Sequence, residues 1–220
     1  MIIVLNSNPI HKFLEDYMIA KYNAIIVNRK DDFSIEFLKS VNPKFIFIPH
    51  WSYLIPAEIY DNYNCIVFHM TDLPYGRGGS PLQNLIVRGH TETKISALKV
   101  EEELDAGDIY LKRPLSLHGT AEEIFLRFGK VVIKMIETIV EENPIPVPQN
   151  GRSLNFKRRN KDDGNLEELQ DLEILFDYIR MLDAKRYPKS FLETKYFRFE
   201  FSRASLKCNE ILADVRIIKK

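Results

Sequence analysis

Hydrophobic positions in the first 150 residues follow two alternating periods. The runs MIIVL, NAIIV, KFIFIP and CIVF (1–5, 23–27, 44–49 and 65–68) are apolar apart from the leading Asn23 and Lys44. Between them, Ile10, Phe13, Leu14, Tyr17 and Met18 recur at helical spacing, and FSIEFLKS and IPAEIYDNY read as a short helix and a helical turn. Short apolar strands separated by helices predict a mostly parallel sheet covered on both faces. Further along, SPLQNLIVRG reads as a helix, and TKISALKV and DIYLKRPLSL as strands around a turn. A long helix then opens with the capping box Thr120-x-x-Glu123 and carries Ile124, Phe128, Val131, Met135, Ile136 and Ile139 on its buried side.

The pattern changes at ENPIPVPQNG, where prolines at alternate positions remove backbone donors and predict an extended connector. A boundary falls there, giving a domain over 1–148 and a small α+β domain over 149–220. In the second, LQDLEILFDYIRMLD reads as a helix. Phe197, Phe199 and Phe201 alternate with charges as in a half-buried strand, and ILADVRII closes a small sheet. The expected fold class is α/β: a Rossmann-like, mostly parallel sheet flanked by helices, with the α+β domain appended.

Composition narrows the function classes. Thirty-one basic residues balance thirty-one acidic ones, which speaks against non-specific binding to nucleic acid or anionic membranes. The two cysteines suggest neither a disulfide framework nor a metal cluster. The N-terminal apolar run is too short for a signal peptide, and no run of about 18 apolar residues could span a bilayer. The cytoplasm is the expected compartment.

Candidate chemistry gathers at strand ends, where open parallel sheets bind ligands. His50 ends one apolar run and His69 the next, and Asp105 follows TKISALKV. Each has a plain structural reading: a histidine that caps a strand, or a turn aspartate. The loop after His69, MTDLPYGRGGSP, adds three glycines that permit close backbone approach and an arginine suited to an anion. An aspartate reaching a histidine holds its tautomer and stabilises the imidazolium.

These stretches carry a resemblance. FHMTDLPYGRGGSPLQ is similar to the signature loop of the folate-dependent formyltransferases, and LDAGDIY, beginning thirty-five residues after His69, resembles their second signature. The resemblance covers about residues 1–140. It implies transfer of a formyl group from N10-formyltetrahydrofolate to a primary amine, with His69 stabilising the oxyanion and Asp105 orienting it. It places the pterin against Trp51, Ser52, Tyr53, Leu54, Leu98, Val100 and Leu104, and the acceptor against Met70, Thr71, Asp72, Arg77, Gly78 and Gly79.

The segment NFKRRNKDDGNL and the helix after it resemble the nucleotide-sugar branch of the family, which makes a nucleotide-linked amino sugar the expected acceptor. Other amines, on methionyl-tRNA or glycinamide ribonucleotide, are the alternative, as is a non-catalytic folate- or nucleotide-binding protein on the same frame. A homodimer through the alternating Phe strand is expected, with no metal. Val67 departs from the family pattern, which has asparagine there, and His50 is the expected substitute donor.

Overall fold

The computed structural model describes residues 1–220. Its central sheet has six strands in the order β2-β1-β3-β4-β6-β7: β1 (Ile2–Asn6), β2 (Ile25–Val27), β3 (Phe45–His50), β4 (Cys65–His69), β6 (Glu92–Lys99) and β7 (Ile109–Ser116). β1 pairs in parallel with β2 and β3, and β3 with β4, whereas β6 runs antiparallel to β4. The apolar runs are strands because both faces are covered. Ile3, Val4, Leu5, Ile46, Phe47 and Ile66 are all fully or nearly fully buried.

The first helix, α1 (Lys12–Tyr22), follows a single 3-10 turn over Pro9–His11, where the Asn8 side chain accepts the Ile10 N–H. Leu14 and Met18 form its buried stripe. Ser34 caps α2 (Ile35–Val41), and α3 (Ala57–Tyr60) is one turn long. Two later helices are α4 (Pro81–Ile86) and α5 (Ala121–Glu142). The expected capping box is present: the Thr120 N–H donates to the Glu123 carboxylate, and the Glu123 N–H to the Thr120 hydroxyl.

Two stretches read from sequence as loop and linker contain strands instead. β5 (Tyr75–Gly78) lies inside the glycine-rich loop and β8 (Leu154–Phe156) in the basic segment just after the connector, and together they form a two-stranded sheet. Neither strand has enough residues to establish an alternation.

Contacts divide the chain into two units, the first comprising 1–78, 93–115 and 125–155. The second comprises 79–92, 116–124 and 156–220. It contains α6 (Leu172–Arg180), capped by the Asp171 side chain at the Ile174 N–H, and an antiparallel sheet in the order β11-β10-β9. β10 (Phe197–Lys207) and β11 (Glu210–Lys219) match the alternating pattern, whereas β9 (Ser190–Glu193) had no sequence signal. No helix is long and apolar enough to cross a membrane.

Candidate active site

His69 is the last residue of β4 and is 7% exposed. Its ring is held at both nitrogens. Nδ1 lies 3.5 Å from Asp105 Oδ2, each side chain 8% exposed, and Nε2 lies 2.7 Å from the carbonyl oxygen of Gly76. A carbonyl only accepts, so the proton on that bond belongs to Nε2, and the neutral ring then turns its Nδ1 lone pair toward the carboxylate. The imidazolium satisfies both partners, which makes this cage a site for holding or moving a proton.

Asp105 adopts a left-handed backbone conformation, φ +55°, in the turn between β6 and β7. Its Oδ2 also accepts the Gly78 N–H at 2.9 Å. Gly78 has φ +98°, a conformation that any side chain would strain. Gly107, two residues past Asp105, passes so close to β6 that an added Cβ would sit 2.0 Å from the Lys99 carbonyl oxygen. The turn therefore needs glycine at that point to reach the Lys99–Asp108 backbone bond.

The loop beyond His69 is built inward. Ser96, opposite His69 in the β4–β6 register, donates to the Thr71 carbonyl at 2.7 Å and accepts the Leu73 N–H at 3.3 Å. Met70 and Thr71 are buried, so the acceptor contacts expected of them have no open surface, and the Thr71 hydroxyl donates to the Gly76 carbonyl. Asp72 is not a lone negative charge. Burial alone raises its pKa, but hydrogen bonds from Lys112 and Lys94 outweigh that effect and hold the carboxyl below its usual range.

Arg77 Nη2 and Nε donate to Gln149 Oε1 at 2.9 and 3.2 Å, and Nη1 donates to Glu103 at 2.8 Å. Gln149 had no role in the sequence reading, since it sits among prolines in an apparent linker. Gly79 falls in the second unit, where an added Cβ would meet Arg158 Cβ at 2.6 Å.

His50 does not stand beside His69. β1 and β3 are in register at Val4 and Phe47, then slip so that Asn6 pairs with His50. A one-residue slip turns a side chain to the opposite face. The His50 ring therefore lies 5.8 Å from His11 and 6.4 Å from Phe125, on the Phe47 side. His69 follows Val67 by two residues, and Val67 packs with Ile46, Ile48 and Cys65 on the other side. The expected substitution of His50 for the missing donor has no geometric basis.

Of the residues expected around a pterin, Leu98 is fully buried beside Leu73, Ile109 and Val67 and presents no surface. Trp51 and Val100 pack on one apolar cluster. Tyr53, Leu54 and Leu104 are 47%, 81% and 55% exposed, apolar surface that the fold itself leaves uncovered. Trp51 meets Phe33 and Tyr53 edge-on, and the Ser52 hydroxyl lies 3.4 Å from that of Ser7.

Comparison with known proteins accords with this geometry. Residues 15–131 match the Formyl transferase family, and residues 161–218 match the family described as Methionyl-tRNA formyltransferase, C-terminal domain. The solved methionyl-tRNA formyltransferase from Clostridium thermocellum is 47% identical, with a TM-score of 0.93 over 100% of this chain and 98% of that one. The methionyl-tRNA formyltransferase of Clostridium botulinum (strain Alaska E43 / Type E3) is 27% identical over 83% of this chain and 61% of its own length. That of Thermodesulfovibrio yellowstonii (strain ATCC 51303 / DSM 11347 / YP87) is 28% identical over 69% of this chain and 52% of its own length. The chain thus spans about half to three fifths of these curated relatives. A 4-N formyltransferase from Francisella tularensis, 16% identical with a TM-score of 0.66 over 88% of this chain and 92% of that one, shares the fold. The tail expected to resemble the nucleotide-sugar branch instead matches a domain named for the tRNA enzymes. Motifs, fold and relatives converge on one conclusion: the chain belongs to the formyl transferase family.

Proposed function

We propose that this protein transfers a formyl group from N10-formyltetrahydrofolate to a primary amine, and that the amine is the α-amino group of methionyl-tRNA. The observation that carries the reaction class is the buried His69–Asp105 pair at the end of β4, inside the segment that matches the family. In the reaction the acceptor nitrogen forms a bond to the formyl carbon, the bond from that carbon to N10 breaks, and the amine proton ends on the released N10. His69 supplies an N–H for the oxyanion that develops on the formyl oxygen, once Nε2 leaves the Gly76 carbonyl, and Asp105 stabilises the charged ring. Trp51, Tyr53, Leu54 and Leu104 offer apolar surface suited to a pterin ring. Arg77, Gly78 and the backbone around them serve the acceptor side.

Support for the acceptor comes from the relatives' names and from the C-terminal match. The experiment is a turnover assay with N10-formyltetrahydrofolate, in which release of tetrahydrofolate is followed with methionyl-tRNA and, separately, with nucleotide-linked amino sugars. Formylation of methionyl-tRNA that disappears in His69→Ala is expected. Formylation of the sugars alone would reassign the acceptor, and transfer to neither would overturn the reading.

The alternating Phe strand expected to carry a homodimer, β10, is paired on both sides by β9 and β11, so a dimer reading rests instead on the edge strand β11, where Leu212, Val215 and Ile217 are 55%, 47% and 62% exposed. Pairing β11 with its own copy about a two-fold axis at Val215 sets Asp214 opposite Arg216 and Leu212 opposite Ile218. Each copy thus meets opposite charge and like apolarity. Sedimentation of wild type and Val215→Lys tests it: a dimer that dissociates in the variant is expected, and a wild-type monomer at all concentrations removes it.

A further inference from the structure

Two groups touch the His69 ring, the Gly76 carbonyl and the Asp105 carboxylate, and they come from segments far apart in sequence. One side chain ties those segments together. Val147 exchanges two backbone hydrogen bonds with Ile109, at 2.8 and 3.0 Å, which brings the chain after it alongside the turn that follows β6. Gln149 Nε2 then donates to the carbonyls of Asp105 and Gly107 at 2.8 and 2.9 Å. Its Oε1 accepts from Nη2 and Nε of Arg77, the residue after Gly76. Both N–H groups and both lone pairs of the carboxamide are therefore used, and no other residue type of that length supplies two donors and two acceptors.

We propose that Gln149 is a positioning residue for His69: its carboxamide locks the strand carrying Gly76 and Arg77 to the turn carrying Asp105, and so sets the two groups that grip the ring. The inference rests on the formyl-transfer reading for its catalytic consequence, but the clamp itself is a matter of geometry. The remaining ties are weaker or fewer. Arg77 otherwise reaches Glu103, whose side chain is 72% exposed, and such an ion pair contributes little. Asp105 otherwise has the Gly78 N–H and the ring itself, while its backbone sits at φ +55°. Freed of Gln149, its turn loses both of the donors that this side chain supplies to its carbonyls.

Two variants separate the arms of the clamp. Gln149→Glu still accepts from Arg77 but has no N–H for the Asp105 and Gly107 carbonyls, and Gln149→Met lacks both arms. Side-chain 15N–1H spectra of His69, recorded at one pH, read the ring's partners without needing substrate. Both variants are expected to shift the His69 resonances, because the carboxylate is no longer held beside the ring. In the formyl-transfer assay kcat should fall on the order of 10–100-fold in both, the scale of a misplacement of about 1 Å. The acceptor KM should rise in Gln149→Met alone, where Arg77 is also released. Wild-type His69 spectra and kcat in both variants would overturn the clamp. If the wild-type protein formylates no amine yet the His69 spectrum moves in both variants, the clamp stands and the formyl-transfer reading fails. If the protein is inactive and the spectrum is unmoved, both fall.

Discussion

His69 Nδ1 and Asp105 Oδ2 face each other across 3.5 Å, buried, from the end of one strand and from a turn thirty-six positions along the chain. Replacing His69 by Ala removes the ring that this carboxylate serves. A loss of about 10²–10⁴ in kcat is expected, with little change in melting temperature. Asp105→Asn keeps the shape and the left-handed backbone that Asn tolerates, but not the charge. Its turnover should fall while the Gly78 N–H keeps an acceptor. Turnover of either variant within a few-fold of wild type would remove the pair from the reaction.

Gly107 admits no side chain without moving β6, since an added Cβ would lie 2.0 Å from the Lys99 carbonyl oxygen. Gly107→Ala is expected to lose about 1–3 kcal/mol, the scale of an overpacked site. The Asp105 turn should shift with it. Urea unfolding measures the first effect and turnover the second, and an unchanged midpoint contradicts the contact.

Val67 packs between the Ile46–Ile48–Cys65 cluster and Leu98. Val67→Asn places the family's donor two residues before His69. Its amide enters apolar packing, so stability should fall by about 1–3 kcal/mol. An oxyanion donor supplies about 10²–10³ in rate, so kcat should rise toward that factor despite the lower melting temperature. A variant that is less stable and no faster shows that the position no longer faces the reacting carbonyl.

His11 and His50 make the fold acid-sensitive. Burial pushes both imidazoles down to about 4 from 6.5; the neighbouring His50 lowers His11 further, while its bond to the Phe125 carbonyl works the other way. The folded state therefore favours the neutral rings. Their contribution is complete above pH 6.5 and is lost as pH falls toward 4, because the unfolded chain takes up the protons first. For His11, fully buried with no partner at Nδ1, the loss is on the order of 3 kcal/mol. Unfolding free energies at pH 7.5 and pH 5 measure it, and His11→Phe should flatten the difference. An equally steep dependence in that variant assigns the acid sensitivity elsewhere.

The apolar runs from MIIVL to CIVF determined their own strands, because a segment buried on both faces needs apolar residues at every position, and local composition records that demand. The capping box at Thr120 was likewise local, and Asn8, Ser34 and Asp171 cap in the same way, each side chain bonding a backbone N–H two or three residues on. His69 was legible as a strand-end histidine in a signature loop, and Asp105 as an acid in a second. Their juxtaposition was not legible: β6 runs antiparallel to β4 and ends opposite Ile66, away from His69, so the turn carrying Asp105 has to fold back to reach the ring.

What only the tertiary structure decided are matters of register and long-range pairing. The slip between β1 and β3 sends His50 to the face opposite His69, and no residue type announces a slip. β5 and β8 are each too short to show an alternation, and they are strands because they pair with each other. Gln149 looked like linker because its proline neighbours describe an extended chain and nothing more. The Val147–Ile109 pairing, thirty-eight residues apart in the chain, turned that linker residue into the tie between Arg77 and Asp105. Composition sets what a segment buries, but a hydrogen-bond partner distant in sequence is set only when the chain closes on itself.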